Sequence, residues 1–102
     1  MAYKNNKPYI EKNRDIVAIL GNLANCYRKN RQYQKAKDIY QNSLYLISKI
    51  EDLDDKNKQQ DVAITYHQLG LISKNMQEYV EAKEYYRKAL EIYRDICDRI
   101  SC

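Results

Sequence analysis

Apolar residues recur every three or four positions from Ile16 to Tyr27, taking in Val17, Ile19, Leu20, Leu23, Ala24 and Cys26. Such spacing paints a broad stripe along a 3.6-residue helix and predicts a first helix from about Lys7 to about Lys29. Pro8 falls in its first turn, where a missing N–H is tolerated. The polar tract 30–32 interrupts the stripe, and Asn30 is the residue type that accepts the left-handed conformation ending a helix. The period resumes at Tyr33, Ala36, Tyr40, Ser43, Leu44, Ile47, Ile50 and Leu53. It predicts a second helix of roughly twenty residues, about 30 Å long at about 1.5 Å per residue. So short a connection makes the two an antiparallel hairpin, with Ala24 and Ala36 as small contact points between the axes.

Residues 54–58 are purely polar and predict a linker whose Asp or Asn caps the next helix. Val62, Ala63, Tyr66, Leu69, Gly70 and Ile72 predict a third helix ending near Asn75. Gly inside a helix costs about 1 kcal/mol relative to Ala, so Gly70 implies a close backbone approach. Tyr79, Ala82, Tyr86, Ala89, Leu90, Tyr93, Ile96, Cys97 and Ile100 carry a fourth helix almost to residue 102. On its outer face Glu84 with Lys88 and Glu91 with Arg94 have the spacing of intrahelical ion pairs.

The second half of this pattern copies the first at a constant offset of 46, pairing Leu23 with Leu69, Ala24 with Gly70, Tyr33 with Tyr79, Ala36 with Ala82 and Tyr40 with Tyr86. Self-similarity at such a period is the mark of a stacked repeat. The fold expected is all-α: two antiparallel helical hairpins stacked as a short right-handed α-solenoid. Repeat one spans about 8–53, the linker 54–58 and repeat two about 59–101.

Composition agrees with that architecture and narrows the chemistry. Only two Gly and one Pro occur in 102 residues, too few for closely spaced strand turns. Eleven Tyr with no Phe or Trp suit helix seams that lie close to water, since the ring packs while the hydroxyl stays solvated. The net charge of +4 is uneven: residues 1–51 hold ten Lys or Arg against four Asp or Glu, and residues 52–102 hold eight against ten. A basic first half opens an alternative function, binding of nucleic acid or of an acidic partner. No nucleic-acid recognition motif accompanies it, and a pI near 8.9 is short of a strongly basic footprint. Cys26, Cys97 and Cys102 form no C-x-x-C pair, which implies free thiols in a reducing compartment and no metal site. Cys26, inside the apolar stripe, is expected in the core. His67 is the single histidine, without a partner at readable spacing for catalysis or metal binding. With no Gly-rich loop and no acid–base pair either, the chain reads as a non-enzyme without a cofactor. No stretch could span a bilayer and the start lacks a signal-peptide core, so a soluble cytoplasmic protein without a membrane partner is expected.

The paired units resemble tetratricopeptide repeats. The residues that carry the likeness are Leu20, Leu23, Ala24, Tyr27, Tyr33, Ala36, Tyr40 and Ser43 in the first copy, and Tyr66, Leu69, Gly70, Tyr79, Ala82, Tyr86 and Ala89 in the second. A spacing of 46 exceeds the family's usual length of about 34 and is similar to the long-repeat branch found in kinesin light chains. Ser73 stands where the first helix of the family unit has Tyr, and the closing Pro is absent from both copies.

That resemblance implies a protein-interaction scaffold whose concave groove, lined by the first helix of each repeat, takes a peptide or partner protein. Carried onto this chain, the groove residues are Asn22, Asn25, Arg28 and Lys29 with His67, Gln68, Leu71 and Lys74, flanked by Ala18, Gly21, Ile64 and Asn75. Chaperone-binding relatives clamp a terminal carboxylate with a Lys and two Asn; here only Asn25 matches, with Gly21 and Gln68 at the other positions. About three repeats are normally needed for a stable array, and two are present. Tyr85, Ile92, Tyr93, Ile96 and Ile100 are therefore expected to form a self-association face, used in end-to-end stacking or hairpin exchange as part of a longer array.

Overall fold

A computed structural model describes the backbone of residues 6–50 and 55–101 and the side chains of residues 15–50 and 56–99. Four helices follow one another: α1 (Asn6–Lys29), α2 (Tyr33–Ser48), α3 (Asp55–Asn75) and α4 (Tyr79–Ser101). No strand occurs among the described residues. Helix α1 pairs with α2, α3 with α4, and α2 packs on α3 to join the two hairpins, giving an all-α solenoid of two repeats.

Both hairpin turns are built alike. After α1 the Gln32 N–H donates to the Tyr27 carbonyl (2.8 Å) and the Arg31 N–H to the Arg28 carbonyl (3.0 Å). After α3 the Glu78 N–H donates to the Ser73 carbonyl (2.8 Å) and the Gln77 N–H to the Lys74 carbonyl (2.9 Å). These paired bonds define a Schellman ending, whose next-to-last residue sits in the left-handed region. Arg31 and Gln77 occupy it, with φ of 63° and 65°. The left-handed residue of the first turn is thus Arg31, one position past Asn30; side-chain preference yields there to the ring of hydrogen bonds that closes the turn.

Helix α2 is shorter than its apolar period predicts. It stops at Ser48, and the chain tightens through Lys49 N–H to Leu46 O (3.0 Å) and Ile50 N–H to Ile47 O (3.1 Å). The Ser48 hydroxyl donates to the Tyr45 carbonyl at 2.6 Å, a local bond that competes with helix continuation. Ile50 is nonetheless buried, and Leu53 lies outside the described residues. Helix α3 begins at Asp55, so residues 55–58 are helical where the polar run predicted a linker.

The core lies where the hairpins meet. Ala24, Ala36, Tyr40, Leu69 and Ile72 are buried together, with Tyr27, Tyr33, Leu44, Tyr66 and Tyr85 packed around them. Gly70 is buried, and a Cβ there would stand 2.6 Å from Cε1 of Tyr86, which explains a glycine in mid-helix. A second tie between the repeats is ionic. Lys37 of α2, its side chain only 11% exposed, pairs with Glu78 at 3.2 Å and with Glu81. The bond to Glu81 does most to hold the Lys37 pKa above its ordinary value, against the pull of burial. On the outside of α4, Arg87 bridges Glu84 and Glu91, and Arg99 pairs with Asp95 at 2.9 Å. Arg87 therefore takes both carboxylates that the sequence pattern assigned to Lys88 and Arg94.

With a radius of gyration of 14.9 Å, the fold is more open than the roughly 13 Å of a compact chain of 100 residues. Two hairpins in a row leave their outer faces uncovered. Cys26 shows the consequence: expected in the core, it is exposed, because nothing among the described residues packs on that side of α1.

Candidate functional site: the groove between α1 and α3

A groove of ≈ 710 Å³ runs between α1 and α3. Its α1 wall carries Asp15, Ala18, Asn22, Asn25 and Arg28, and its α3 wall Asp61, Ile64, Gln68 and Leu71. Tyr40 and Ser43 of α2 form the floor. Successive wall residues are three or four apart, so each helix turns one side toward the groove while the neighbouring side packs on α2. The Tyr40 hydroxyl donates to the Gly21 carbonyl (3.2 Å) and fixes the floor to the α1 wall. The Ser43 hydroxyl is satisfied by the Ile39 carbonyl (3.0 Å), and Thr65, also lining the groove, by the Asp61 carbonyl (2.9 Å).

Charge is separated along the groove. Asp15 and Asp61 stand toward the starts of the two walls, and Arg28 toward the end of the first. One Arg28 terminal nitrogen donates to Asn25 Oδ1 at 2.8 Å, which orients the guanidinium. Its Nε is buried and has no hydrogen-bond partner among the described residues. Burial pushes the Tyr40 hydroxyl pKa up, opposed by the nearby positive charge of Arg28. A guanidinium so held lines the groove, and carboxylates are the groups that meet it best. From Asp15 to Arg28 is thirteen helical steps, about 20 Å, the span of roughly six extended residues.

Of the groove residues expected from sequence, Asn22, Asn25, Arg28, Gln68 and Leu71 line it, as do Ala18, Gly21 and Ile64. Lys29 and Lys74 are exposed and do not line it. His67 points the other way, its ring 6.0 Å from that of Tyr86 on α4. One helical step separates His67 from Gln68, and that step of about 100° carries it out of the groove. Sequence reading missed Asp15 and Asp61, although they lie one repeat apart and each stands three residues before a groove position, Ala18 and Ile64. Tyr40 and Ser43, which belong to the apolar period of α2 and are buried, also form the groove floor.

The face expected on α4 is divided. Tyr85 turns inward, stacked on Tyr66 with ring centroids 6.1 Å apart and its hydroxyl accepting from Gln41 Nε2 at 3.3 Å. Ile96 is buried and Ile92 half-buried, while Tyr93 reaches solvent. The Ile100 side chain lies outside the described residues. The large apolar groups that α4 does present outward are Tyr79, Val80, Leu90 and Tyr93, of which Tyr79, Leu90 and Tyr93 fall along one side. Among the described residues no cluster of His, Cys, Asp and Glu could hold a metal, and no helix is long and apolar enough to cross a membrane.

Comparison with known families matches residues 19–56 and residues 63–96 separately to models of the tetratricopeptide repeat. No curated protein and no solved structure matches the chain.

Proposed function

The chain belongs to the tetratricopeptide repeat family, a non-catalytic scaffold family that generally mediates protein–protein interaction, and from that premise we propose that its groove binds one extended segment of a partner protein. The observation that carries this reading is Arg28, oriented by Asn25, lining a groove whose opposite end holds Asp15 and Asp61. The segment carries a carboxylate that meets Arg28 and, about 20 Å away, a Lys or Arg that meets the two aspartates. Between them Ile64 and Leu71 accept apolar side chains, while Asn22 and Gln68 reach its backbone. The exposed thiol of Cys26, in no disulfide, supports a reducing, cytoplasmic setting.

Selection of a displayed random-peptide library on the folded chain tests the proposal. Enriched peptides should pair an acidic with a basic residue some six positions apart, and Arg28→Glu should cut their affinity at least about tenfold, the loss of one charge-assisted contact. Peptides that bind Arg28→Glu as well as the unaltered chain would refute the groove assignment.

A further inference from the structure

We propose that copies of this chain stack head to tail, α1 of one copy packing on α4 of the next as α3 packs on α2 within each copy. The argument rests on the offset of 46 that relates the two repeats. On α3, Thr65, Leu69 and Ile72 are buried, and Leu69 and Ile72 share a core with Tyr33, Tyr40 and Leu44 of α2. The positions 46 earlier on α1 are Ile19, Leu23 and Cys26. All three are exposed, Ile19 at 63% and Leu23 at 42%. The positions 46 later than Tyr33, Leu44 and Ile47 on α2 are Tyr79, Leu90 and Tyr93 on α4. Ile47 is fully buried whereas its counterpart Tyr93 is 36% exposed, and Leu44 is half-buried against the core whereas its counterpart Leu90 is 54% exposed. The molecule thus ends in two unlike apolar faces, each a copy of one side of an interface that it already contains.

Such faces fit each other and not themselves, so the contact is heterologous and can propagate. Charge selects the same arrangement. Head-to-tail stacking sets the basic half of one copy beside the acidic half of the next, while α1-to-α1 contact would bring two basic halves together. One element of the internal seam is missing between copies. Lys37, which pairs with Glu78 and Glu81, corresponds to Lys83 on α4, and those glutamates correspond to Gln32 and Lys35. Lys83 would therefore meet Lys35, and the contact between copies is weaker than the one within them, which makes assembly depend on concentration. A stack built this way also sets the grooves of successive copies end to end.

Sedimentation velocity from about 1 µM to about 1 mM tests the proposal with exposed-site variants that leave the core intact. The unaltered chain should gain mass with concentration and pass beyond a dimer. Leu23→Glu alone and Leu90→Glu alone should each be monomeric, since every contact needs one face of each kind. Their equimolar mixture should form a dimer and stop there. Lys35→Glu, which recreates the internal ion pair across the seam, should tighten assembly roughly fivefold. A chain monomeric throughout the range, either Glu variant still associating by itself, or a mixture that stays monomeric would each overturn the proposal.

Discussion

Gly70→Ala sets two effects of known size against each other. In mid-helix the change from Gly to Ala stabilises by about 0.8–1 kcal/mol when the new methyl has room. At Gly70 it has none: the Cβ would lie 2.6 Å from Cε1, 2.7 Å from Cδ1 and 3.1 Å from Cζ of Tyr86. Ordinary carbon contacts begin near 3.5 Å, so the ring must retreat by about 1 Å. That ring is already half-buried and next to His67. Overpacking of this kind costs about 1–3 kcal/mol, so Gly70→Ala should destabilise by about 1 kcal/mol net, several degrees in Tm for a chain of this size. Gly21→Ala is the internal control. A Cβ there meets nothing within 4 Å, and the variant should gain about 1 kcal/mol. Thermal and urea unfolding followed by circular dichroism measure both. Adding Tyr86→Leu to Gly70→Ala should recover part of the loss, because the ring that blocks the methyl is gone. Should Gly70→Ala raise Tm as Gly21→Ala does, the close approach of α3 and α4 would be refuted.

Two further substitutions probe the turns and the seam. Gln77→Gly relieves a left-handed backbone at φ 65° and should raise stability by about 0.5–1 kcal/mol in urea unfolding, with no loss of helicity. Lys37→Met removes the ion pairs to Glu78 and Glu81 and should cost about 1 kcal/mol at neutral pH, since the partners are partly solvated. Because those glutamates raise the Lys37 pKa, its contribution is fully present below the unfolded value of about 10.4 and is lost as pH rises through the higher folded value. Going up from neutral pH, the stability gap between the unaltered chain and Lys37→Met should therefore persist until the solution is strongly alkaline.

How far the molecule was legible depends on whether a residue's role is set within its own helix. The apolar stripes and the offset of 46 were enough for four helices in two hairpins, because each helix repeats one local pattern. Gly70 was read as a close approach, and Tyr86 supplies it. The end of α2 was not legible from the period, since Ile50 continues the apolar spacing while the chain has already left the helix. Cys26 and Ile19 look like core residues by periodicity. They are exposed because burial depends on a neighbouring hairpin, which a helical wheel does not contain. In the groove, residues 18, 21, 22, 25, 28, 64, 68 and 71 were those that the resemblance to tetratricopeptide repeats implied, and they line it. His67 and Lys29 fell outside because one step around the helix from Gln68 and Arg28 changes the surface that a side chain faces. The pairing of Asp15 with Asp61 and the unpaired Nε of Arg28 emerge only when α1 and α3 are set side by side.

Backbone amide chemical-shift mapping with a selected peptide tests the groove most directly. Titrated into the 15N-labelled chain, the peptide should shift the amides of Asn22, Asn25, Arg28, Gln68 and Leu71, leave those of Lys83, Arg87 and Glu91 on α4 in place, and lose its effect in Arg28→Glu. Shifts concentrated on α4, with the α1 and α3 walls unmoved, would contradict a partner-binding groove between the first helices of the two repeats.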